Sequence, residues 1–232
     1  MVTMPIERIA VGELTKGDGA GERLRDVARR VLRGAVFIYP TETIYGIGGI
    51  YGCDGVRERI VAAKRRPADE PMLLVAGRRR LFDETDAVIH PAARLLASRF
   101  WPGRLTLVVP SATGEGFVGI RESDHPFLTA LAGVLPQPLY STSANLSGEP
   151  YRNDIDLITR IFTGSVDFVV DAGNLPPSPP STVVRVGRDG SMEMLREGAV
   201  EKDEIEAESS GDRGERCPET RAQGAGGNPT GI

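Results

Sequence analysis

The stretch ERLRDVARRVLRGAVFIYP, residues 22–40, sets a helix directly before a buried strand. Its apolar residues first recur at intervals of three and four, which predicts an amphipathic helix over 22–33 that Gly34 ends. Residues 35–39 are then apolar without a break and are closed by Pro40, a pattern typical of a strand buried on both faces. A helix followed by a doubly buried strand indicates an α/β fold.

The alternation of helix and strand continues along the chain. Apolar runs predict further strands at 73–76, 105–109, 138–140, 166–170 and 182–186, and helical periodicity predicts helices at 54–63, 90–100, 124–134 and 154–162. With 232 residues and 40% apolar content, the chain is long enough for one well-filled core. We therefore expect a single-domain α/β fold, with a twisted mixed sheet flanked by helices.

Charge is concentrated towards the C-terminal end. Residues 201–232 hold eight acidic and four basic side chains, which accounts for the whole net charge of −4 and leaves the rest of the chain neutral. A neutral body argues against a general nucleic-acid binder, which usually carries a basic excess. The segment 203–232 has almost no large apolar residue to offset its ordering entropy, so we expect a disordered polar tail there.

Cysteine and apolar patterns argue against several other classes. Cys53 and Cys217 are far apart, with no C-x-x-C motif and no histidine at ligand spacing, which disfavours a zinc site or a disulfide framework. No cluster of Asp or Glu offers a dedicated metal cage, so no metal-ligating residue is predicted. The N-terminus lacks a signal-peptide pattern, and no segment approaches the roughly 20 apolar residues of a membrane span. These features predict a cytoplasmic protein without membrane contact.

Two short segments carry paired polar groups. Lys64-Arg65-Arg66-Pro67 and Ser143-Ala144-Asn145 each place two functional side chains at i and i+2, which an extended backbone points to one face. Proline supports that geometry because it pushes Arg66 out of the helical region. Two cations beside a hydroxyl and an amide are what a polyphosphate site requires. Each pair also has a plain structural interpretation, because cations can end a helix and Ser and Asn can form a turn.

Seven motifs occur in one order along the chain. They are PTETIYGIGG (40–49), KRRPADEPM (64–72), FWPGRLTLV (100–108), RESDHP (121–126), STSANLSGEP (141–150), PSTVV (180–184) and LREGA (195–199). Together they resemble the YrdC-type family, the threonylcarbamoyl-AMP synthases, over residues 8–200. The resemblance implies a YrdC-like catalytic domain in the short, single-domain form.

The resemblance also implies a reaction, in which L-threonine, bicarbonate and ATP give threonylcarbamoyl-adenylate and pyrophosphate. The threonine amine captures carbon dioxide as a carbamate, and a carbamate oxygen then attacks the α-phosphorus. No protein nucleophile is needed, and Mg²⁺ is expected to arrive with ATP. The implied partners downstream are the proteins that transfer the threonylcarbamoyl group to tRNA, and a weak tRNA contact is left open.

The family motifs assign roles residue by residue. By resemblance, the ATP-binding residues are Lys64, Arg66, Ser143, Asn145 and Arg196, of which the first four form the catalytic set. The L-threonine-binding residues implied in the same way are Thr41, Thr43, Arg121, Ser141 and Thr182. Within that second set, Arg121 is expected to fork onto the substrate carboxylate.

Several positions depart from the family pattern. Val75 stands where some members have a histidine, and Arg104 and Ser123 stand where proline is frequent. Pro180 and Arg185 stand where acidic residues often flank the Ser-Thr motif. Because the principal motif residues are intact, we expect these departures to affect substrate affinity more than the type of reaction.

Structural interpretations compete with the functional ones. Thr41 and Thr43 can equally satisfy loop amides, and His90 and His125 each precede a proline and a helical pattern, which favours helix capping over acid–base catalysis. For the whole chain, the first rival is an RNA-binding or ribosome-assembly module, although few aromatic residues offer stacking surfaces. The second is a carbamoyl-phosphate-using module of the hydrogenase-maturation type, whose members are far longer and carry zinc-finger cysteines.

Overall fold

The predicted alternation of elements is present in the computed structural model, which describes residues 5–68, 70, 72–77, 82, 85–113 and 116–211. The strands are β1 (Glu7–Ala10), β2 (Phe37–Tyr39), β3 (Gly46–Ile50), β4 (Leu73–Gly77), β5 (Leu105–Pro110), β6 (Phe117–Ser123), β7 (Leu139–Ser143), β8 (Phe168–Asp171), β9 (Thr182–Val186) and β10 (Met192–Arg196). The helices are α1 (Val11–Thr15), α2 (Ala20–Leu32), α3 (Val56–Lys64), α4 (Pro91–Phe100), α5 (Pro126–Ala132), α6 (Ile155–Phe162) and α7 (Lys202–Gly211).

These strands form one sheet in the order β1-β8-β2-β3-β7-β4-β6-β5-β9-β10. The pairs β1–β8, β2–β8, β4–β6 and β5–β9 are parallel, whereas β2–β3, β3–β7, β4–β7, β5–β6 and β9–β10 are antiparallel. The prediction of a mixed α/β sheet is therefore confirmed. Strands β3, β7, β4 and β6 lie side by side in the middle of this sheet, and they carry much of the site described below.

The apolar run before Pro40 is buried on both faces, as predicted. Phe37 and Tyr39 pack with residues of α2 and α5, whereas Val36 and Ile38 pack with residues of α3 and α6. Alternate residues of a strand point to opposite faces, so the sheet is covered by helices on both sides at this point. This double burial explains why the run has no charged residue.

Strand β3 was not predicted, because its sequence GIGGI has three glycines and glycine disfavours strands. The structure shows why the glycines are there. A Cβ atom on Gly48 would lie 1.9 Å from the carbonyl oxygen of Tyr140, and one on Gly49 would lie 2.8 Å from the carbonyl oxygen of Ala35. Any side chain would collide with neighbouring backbone, so close packing replaces strand propensity as the reason for the sequence. Strands β1, β6 and β10 and helix α1 were also missed.

The predicted disordered tail began too early. Residues of 203–232 that the structure describes belong to α7, in which Ile205 is buried and packs with Val200 and with the α4 side chain Leu96. An ion pair between Arg99 and Glu208 also joins α4 to α7. One buried isoleucine is easily missed when a whole segment is judged by its average composition, and residues 212–232 lie outside the described part. No helix in the described ranges is long and apolar enough to cross a membrane.

Candidate active site

A cavity of about 120 Å³ opens over the middle of the sheet, beside the loop that connects β2 to β3. Its lining includes six of the ten predicted site residues: Thr41, Thr43, Arg121, Ser141, Ser143 and Arg196. Strand register accounts for part of this convergence, because Ser141 pairs with Gly48 and Leu73, and Val75 pairs with Arg121. The four predicted residues outside the lining are Lys64, Arg66, Asn145 and Thr182.

The two threonines of the β2–β3 loop lie together, with 3.0 Å between their hydroxyl oxygens. Thr41 Oγ1 accepts from the backbone N–H groups of Thr43 and Ile44 and donates to the carbonyl oxygen of Ile44 at 2.8 Å. Its proton and both lone pairs are thereby used on the loop backbone, and either hydroxyl can be the donor in the contact between Thr41 and Thr43. Thr41 shapes the loop, whereas Thr43 keeps one hydrogen-bonding site, a lone pair or its proton, for a substrate.

Arg121 was expected to present a free guanidinium fork to the cavity, but most of its N–H groups are already bonded. Its Nε atom donates to the carbonyl oxygen of Gly103 at 2.9 Å, and its Nη2 atom donates to Glu42 at 2.6 Å and to Thr43 at 3.1 Å. These three bonds consume both N–H groups of Nη2 and that of Nε. Nη1 has no hydrogen-bond partner among the described residues, so it alone can reach a ligand without breaking a bond.

Ser141 receives a hydrogen bond from a residue that the sequence analysis did not single out. The hydroxyl of Tyr39, which is fully buried, donates to Ser141 Oγ at 2.7 Å. Burial is the main cause that raises the pKa of Tyr39, so the phenol stays protonated. Because Ser141 already accepts from Tyr39, its own proton is available to donate into the cavity.

Lys64 and Asn145 meet outside the cavity lining. Lys64 is the last residue of α3 and is only 4% exposed, and its ammonium donates to the carbonyl oxygens of Ser143 and Asn145. Burial, followed by the charge of Arg66, lowers the pKa of Lys64 to about 8. The prediction of an extended segment that carries both cations on one face was wrong, because Lys64 ends a helix and Arg65 adopts a left-handed conformation that turns the chain directly after it.

The extended geometry predicted for Ser143-Ala144-Asn145 also fails after Ser143. The backbone N–H of Asn145 bonds to the carbonyl oxygen of Ser143, which makes a tight turn. Its side-chain amide then donates to the carbonyl oxygens of Leu146 and Glu149, and so holds the loop after β7. The Oδ1 atom of Asn145 is buried and accepts no hydrogen bond from the described residues.

The remaining predicted residues divide between the cavity and the framework. Arg66 forms an ion pair with Glu70 at 2.7 Å and its side chain is mostly buried. Arg196 donates from Nε and Nη2 to the carbonyl oxygen of Ser181, and burial together with the charge of Arg121 lowers the pKa of Arg196. Because Arg121 is paired with the carboxylate of Glu42, Arg196 is the guanidinium group that makes this small cavity attractive to anions.

Thr182 is a framework residue in this structure. Its hydroxyl is fully buried, donates to the carbonyl oxygen of Val200 at 2.6 Å, and accepts from the N–H groups of Gly198 and Val200. The neighbouring Ser181 lines the cavity in its place. Every hydrogen-bonding capacity of this hydroxyl is in use, so it has none free for a ligand in this structure, and the predicted contact with threonine stays a prediction.

Two alternatives to catalysis were correct. His90 accepts from the N–H of Ala92 through Nδ1, and His125 accepts from the N–H of Phe127 in the same way, so each caps a helix. Burial is the main cause that lowers the pKa of His125.

Among the described residues, no three His, Cys, Asp or Glu side chains are grouped so that they could hold a metal ion.

The positions that depart from the family pattern lie in different surroundings. Val75 and Pro180 line the cavity, Arg104 is exposed, and Arg185 pairs with Glu193 on the neighbouring strand. Ser123 is fully buried and donates to Glu42. Two residues that support the site were missed: Glu42, which holds Arg121, and Tyr39, which holds Ser141. Simple alternation along an extended strand would point Glu42 away from Thr41 and Thr43.

The chain is similar to known proteins of one family. The family model Sua5_yciO_yrdC, which carries the description telomere recombination, matches residues 29–198. A Pyrococcus abyssi protein named threonylcarbamoyl-AMP synthase is 30% identical over 192 residues, which are 79% of this chain and 56% of that protein. A Vibrio cholerae protein of the same name is 32% identical and matches over 76% of this chain and 98% of its own length.

A solved structure is similar as well. The crystal structure of P. abyssi Sua5 complexed with L-threonine superposes with a TM-score of 0.76 at 28% identity, over 88% of this chain and 60% of that one. The chain thus spans little more than half of the P. abyssi protein and nearly all of the Vibrio relative.

Proposed function

The chain belongs to the Sua5/YciO/YrdC family, and from this membership we propose that it is a threonylcarbamoyl-AMP synthase. It converts L-threonine, bicarbonate and ATP into threonylcarbamoyl-AMP, pyrophosphate and water. The observation that carries the proposal is the small polar cavity, in which Arg121, Thr43 and Ser141 lie beside Ser143 and Arg196. That arrangement supports an amino-acid subsite next to a nucleotide subsite.

The chemistry needs positioning rather than a protein nucleophile. The threonine amine takes up carbon dioxide from bicarbonate and forms a carbamate, a carbamate oxygen attacks the α-phosphorus of ATP, and pyrophosphate leaves. Holding the two reactants together removes most of the entropic barrier, and cations stabilise the charge that develops on the phosphate oxygens. Magnesium enters with the triphosphate and keeps part of its water shell.

Each end of the cavity suits one reactant. At the amino-acid end, Arg121 offers an N–H group to a carboxylate, Ser141 offers a proton, and Thr43 offers one hydrogen-bonding site. Val75 adds an apolar wall that suits the methyl group of threonine. At the other end, Arg196 and the loop held by Lys64 are the groups that would meet the nucleotide.

The product defines the next steps. A mixed anhydride of a carbamate and a phosphate is reactive, so it must pass to proteins that transfer the threonylcarbamoyl group to tRNA in the cytoplasm. The synthase step itself requires no RNA. A weak contact with tRNA would assist delivery without changing the chemistry.

The proposal can be tested by measuring pyrophosphate release from ATP with bicarbonate and each amino acid in turn, without RNA. Threonine should support release, and valine should be rejected more strongly than serine. A pocket that pairs with the hydroxyl leaves its own polar groups unsatisfied when valine binds, which costs more than the about 1–3 kcal/mol of a missing methyl. Equal rates with valine and threonine, or release that needs RNA but no amino acid, would favour the RNA-binding alternative.

A further inference from the structure

Glu42 lies between the two threonines of the β2–β3 loop, and both of its carboxylate oxygens are engaged. Oε1 accepts from Nη2 of Arg121 at 2.6 Å, and Oε2 accepts from the hydroxyl of Ser123. The side chain of Glu42 is 11% exposed and that of Arg121 is 6% exposed. Such a buried pair has a fixed geometry, because moving either partner leaves a charge without compensation.

The pair determines which part of Arg121 reaches the cavity. With Nε bonded to Gly103 and Nη2 bonded to Glu42 and Thr43, the guanidinium plane is held by three different partners. The same contacts hold the hydroxyl of Thr43, since it accepts from Nη2 of Arg121. One carboxylate therefore holds two cavity groups in place.

We propose that Glu42 is a positioning residue for the amino-acid substrate: it holds Arg121 so that Nη1 faces the substrate carboxylate, with the hydroxyl of Thr43 held beside it. The inference rests on the proposed synthase function and adds a residue to the threonine subsite. Glu42 itself does not touch the substrate. Ser123, which stands where proline is usual in the family, supports Glu42 by donating to its second oxygen.

The test compares Glu42→Gln with wild type by calorimetric titration of L-threonine and by steady-state kinetics. Glutamine keeps the shape and one acceptor oxygen but loses the charge that strengthens the bond to Arg121. We expect the Kd and KM for threonine to rise about 10- to 100-fold, as for a misplaced binding group. The KM for ATP and kcat at saturating threonine should change less than about 3-fold.

The control is Glu193→Gln, which removes a carboxylate from an Arg–Glu pair on β9 and β10. It should leave both substrates unaffected. Threonine binding by Glu42→Gln as tight as by wild type would overturn the inference, and so would an equal loss for threonine and ATP with a lowered Tm. Failure of wild type to bind threonine would instead overturn the proposed function, and this inference with it.

A second variant keeps the test decisive if Glu42→Gln does not fold. Ser123→Ala retains the charge of Glu42 and removes the bond to Oε2, together with the bond that Ser123 Oγ accepts from the backbone N–H of His125. The affinity for threonine should then fall about 2- to 5-fold, because Glu42 keeps its bond to Arg121 and loses only the support of Ser123. Unchanged affinity in Ser123→Ala would count against the inference.

Discussion

Lys64 donates a hydrogen bond from Nζ to the carbonyl oxygen of Asn145 at 2.6 Å, and the carbonyl oxygen of Lys64 accepts from Ser147 N at 3.0 Å. The end of α3 is thus fastened to the loop after β7, although the two segments are 81 residues apart. The two motifs predicted to bind ATP consequently form one structural unit. A change in one motif should alter the other.

Replacing Lys64 should therefore affect both stability and activity. Lys64→Met keeps the apolar stem but leaves the carbonyl oxygens of Ser143 and Asn145 without this donor, which should lower the free energy of unfolding by about 1–3 kcal/mol. Loss of the cation should reduce pyrophosphate release about 10- to 1,000-fold. Denaturant titrations and initial rates measure the two effects. The exposed Lys202→Met is the control, and normal turnover by Lys64→Met would refute the assignment.

The pH dependence should show opposite trends for activity and stability. Lys64 has a pKa of about 8 in the folded chain against an ordinary value of 10.5, so the unfolded state binds more protons between these values. The contribution of Lys64 to stability therefore rises with pH across that window. The kcat/KM for ATP should fall as pH rises through about 8, because it follows ionisation in the free enzyme. In Lys64→Arg this alkaline decline should move to higher pH, and an unmoved decline would assign it to another group.

Tyr39→Phe should weaken the threonine subsite. The change removes the donor to Ser141 Oγ and leaves that hydroxyl free to rotate. We expect a loss of about 0.5–1.5 kcal/mol in unfolding free energy and a comparable loss in binding of threonine, with little effect on ATP. Tyr140→Phe, on the opposite face of β7, serves as the control. If both variants change threonine binding equally, Tyr39 has no special role.

Substitutions of Thr182 distinguish the framework role that its hydrogen bonds indicate from the threonine contact that the family resemblance implies. Thr182→Val leaves two N–H groups and one carbonyl of the 198–200 segment without their partner, so stability should fall by about 2 kcal/mol or more. Thr182→Ser keeps the hydroxyl and should stay near wild type. Melting curves and threonine titrations decide the point, since a direct substrate contact would lower affinity for threonine while leaving Tm unchanged.

Much of the fold could be predicted because periodicity and burial agree. The helix over 22–33 and the strand before Pro40 are both present, and the double burial of Ile38 and Phe37 matches the unbroken apolar run. Strand β3 could not be predicted, because Gly48 is selected by contact with backbone from another strand. Helix α7 was missed because its burial depends on Ile205 meeting α4, a contact that no local pattern reveals.

The candidate site could also be predicted only in part. Six of the residues implied by the motif resemblance line one cavity, but the resemblance could not predict which hydroxyl groups already have hydrogen-bond partners within the chain. Thr41 and Thr182 have their hydrogen bonds satisfied by backbone, whereas Thr43 and Ser141 retain capacity towards the cavity. Glu42 was missed because a turn, rather than an extended strand, carries it to Arg121.

Mass spectrometry of the product formed from carbon-13 bicarbonate tests the central claim most directly. Wild-type protein with ATP, magnesium, L-threonine and labelled bicarbonate, and without RNA, should give threonylcarbamoyl-AMP that carries one carbon-13 atom. Pyrophosphate should form in equal amount, and omission of threonine should abolish both products. Pyrophosphate without a labelled adenylate, or no reaction under these conditions, would contradict the account.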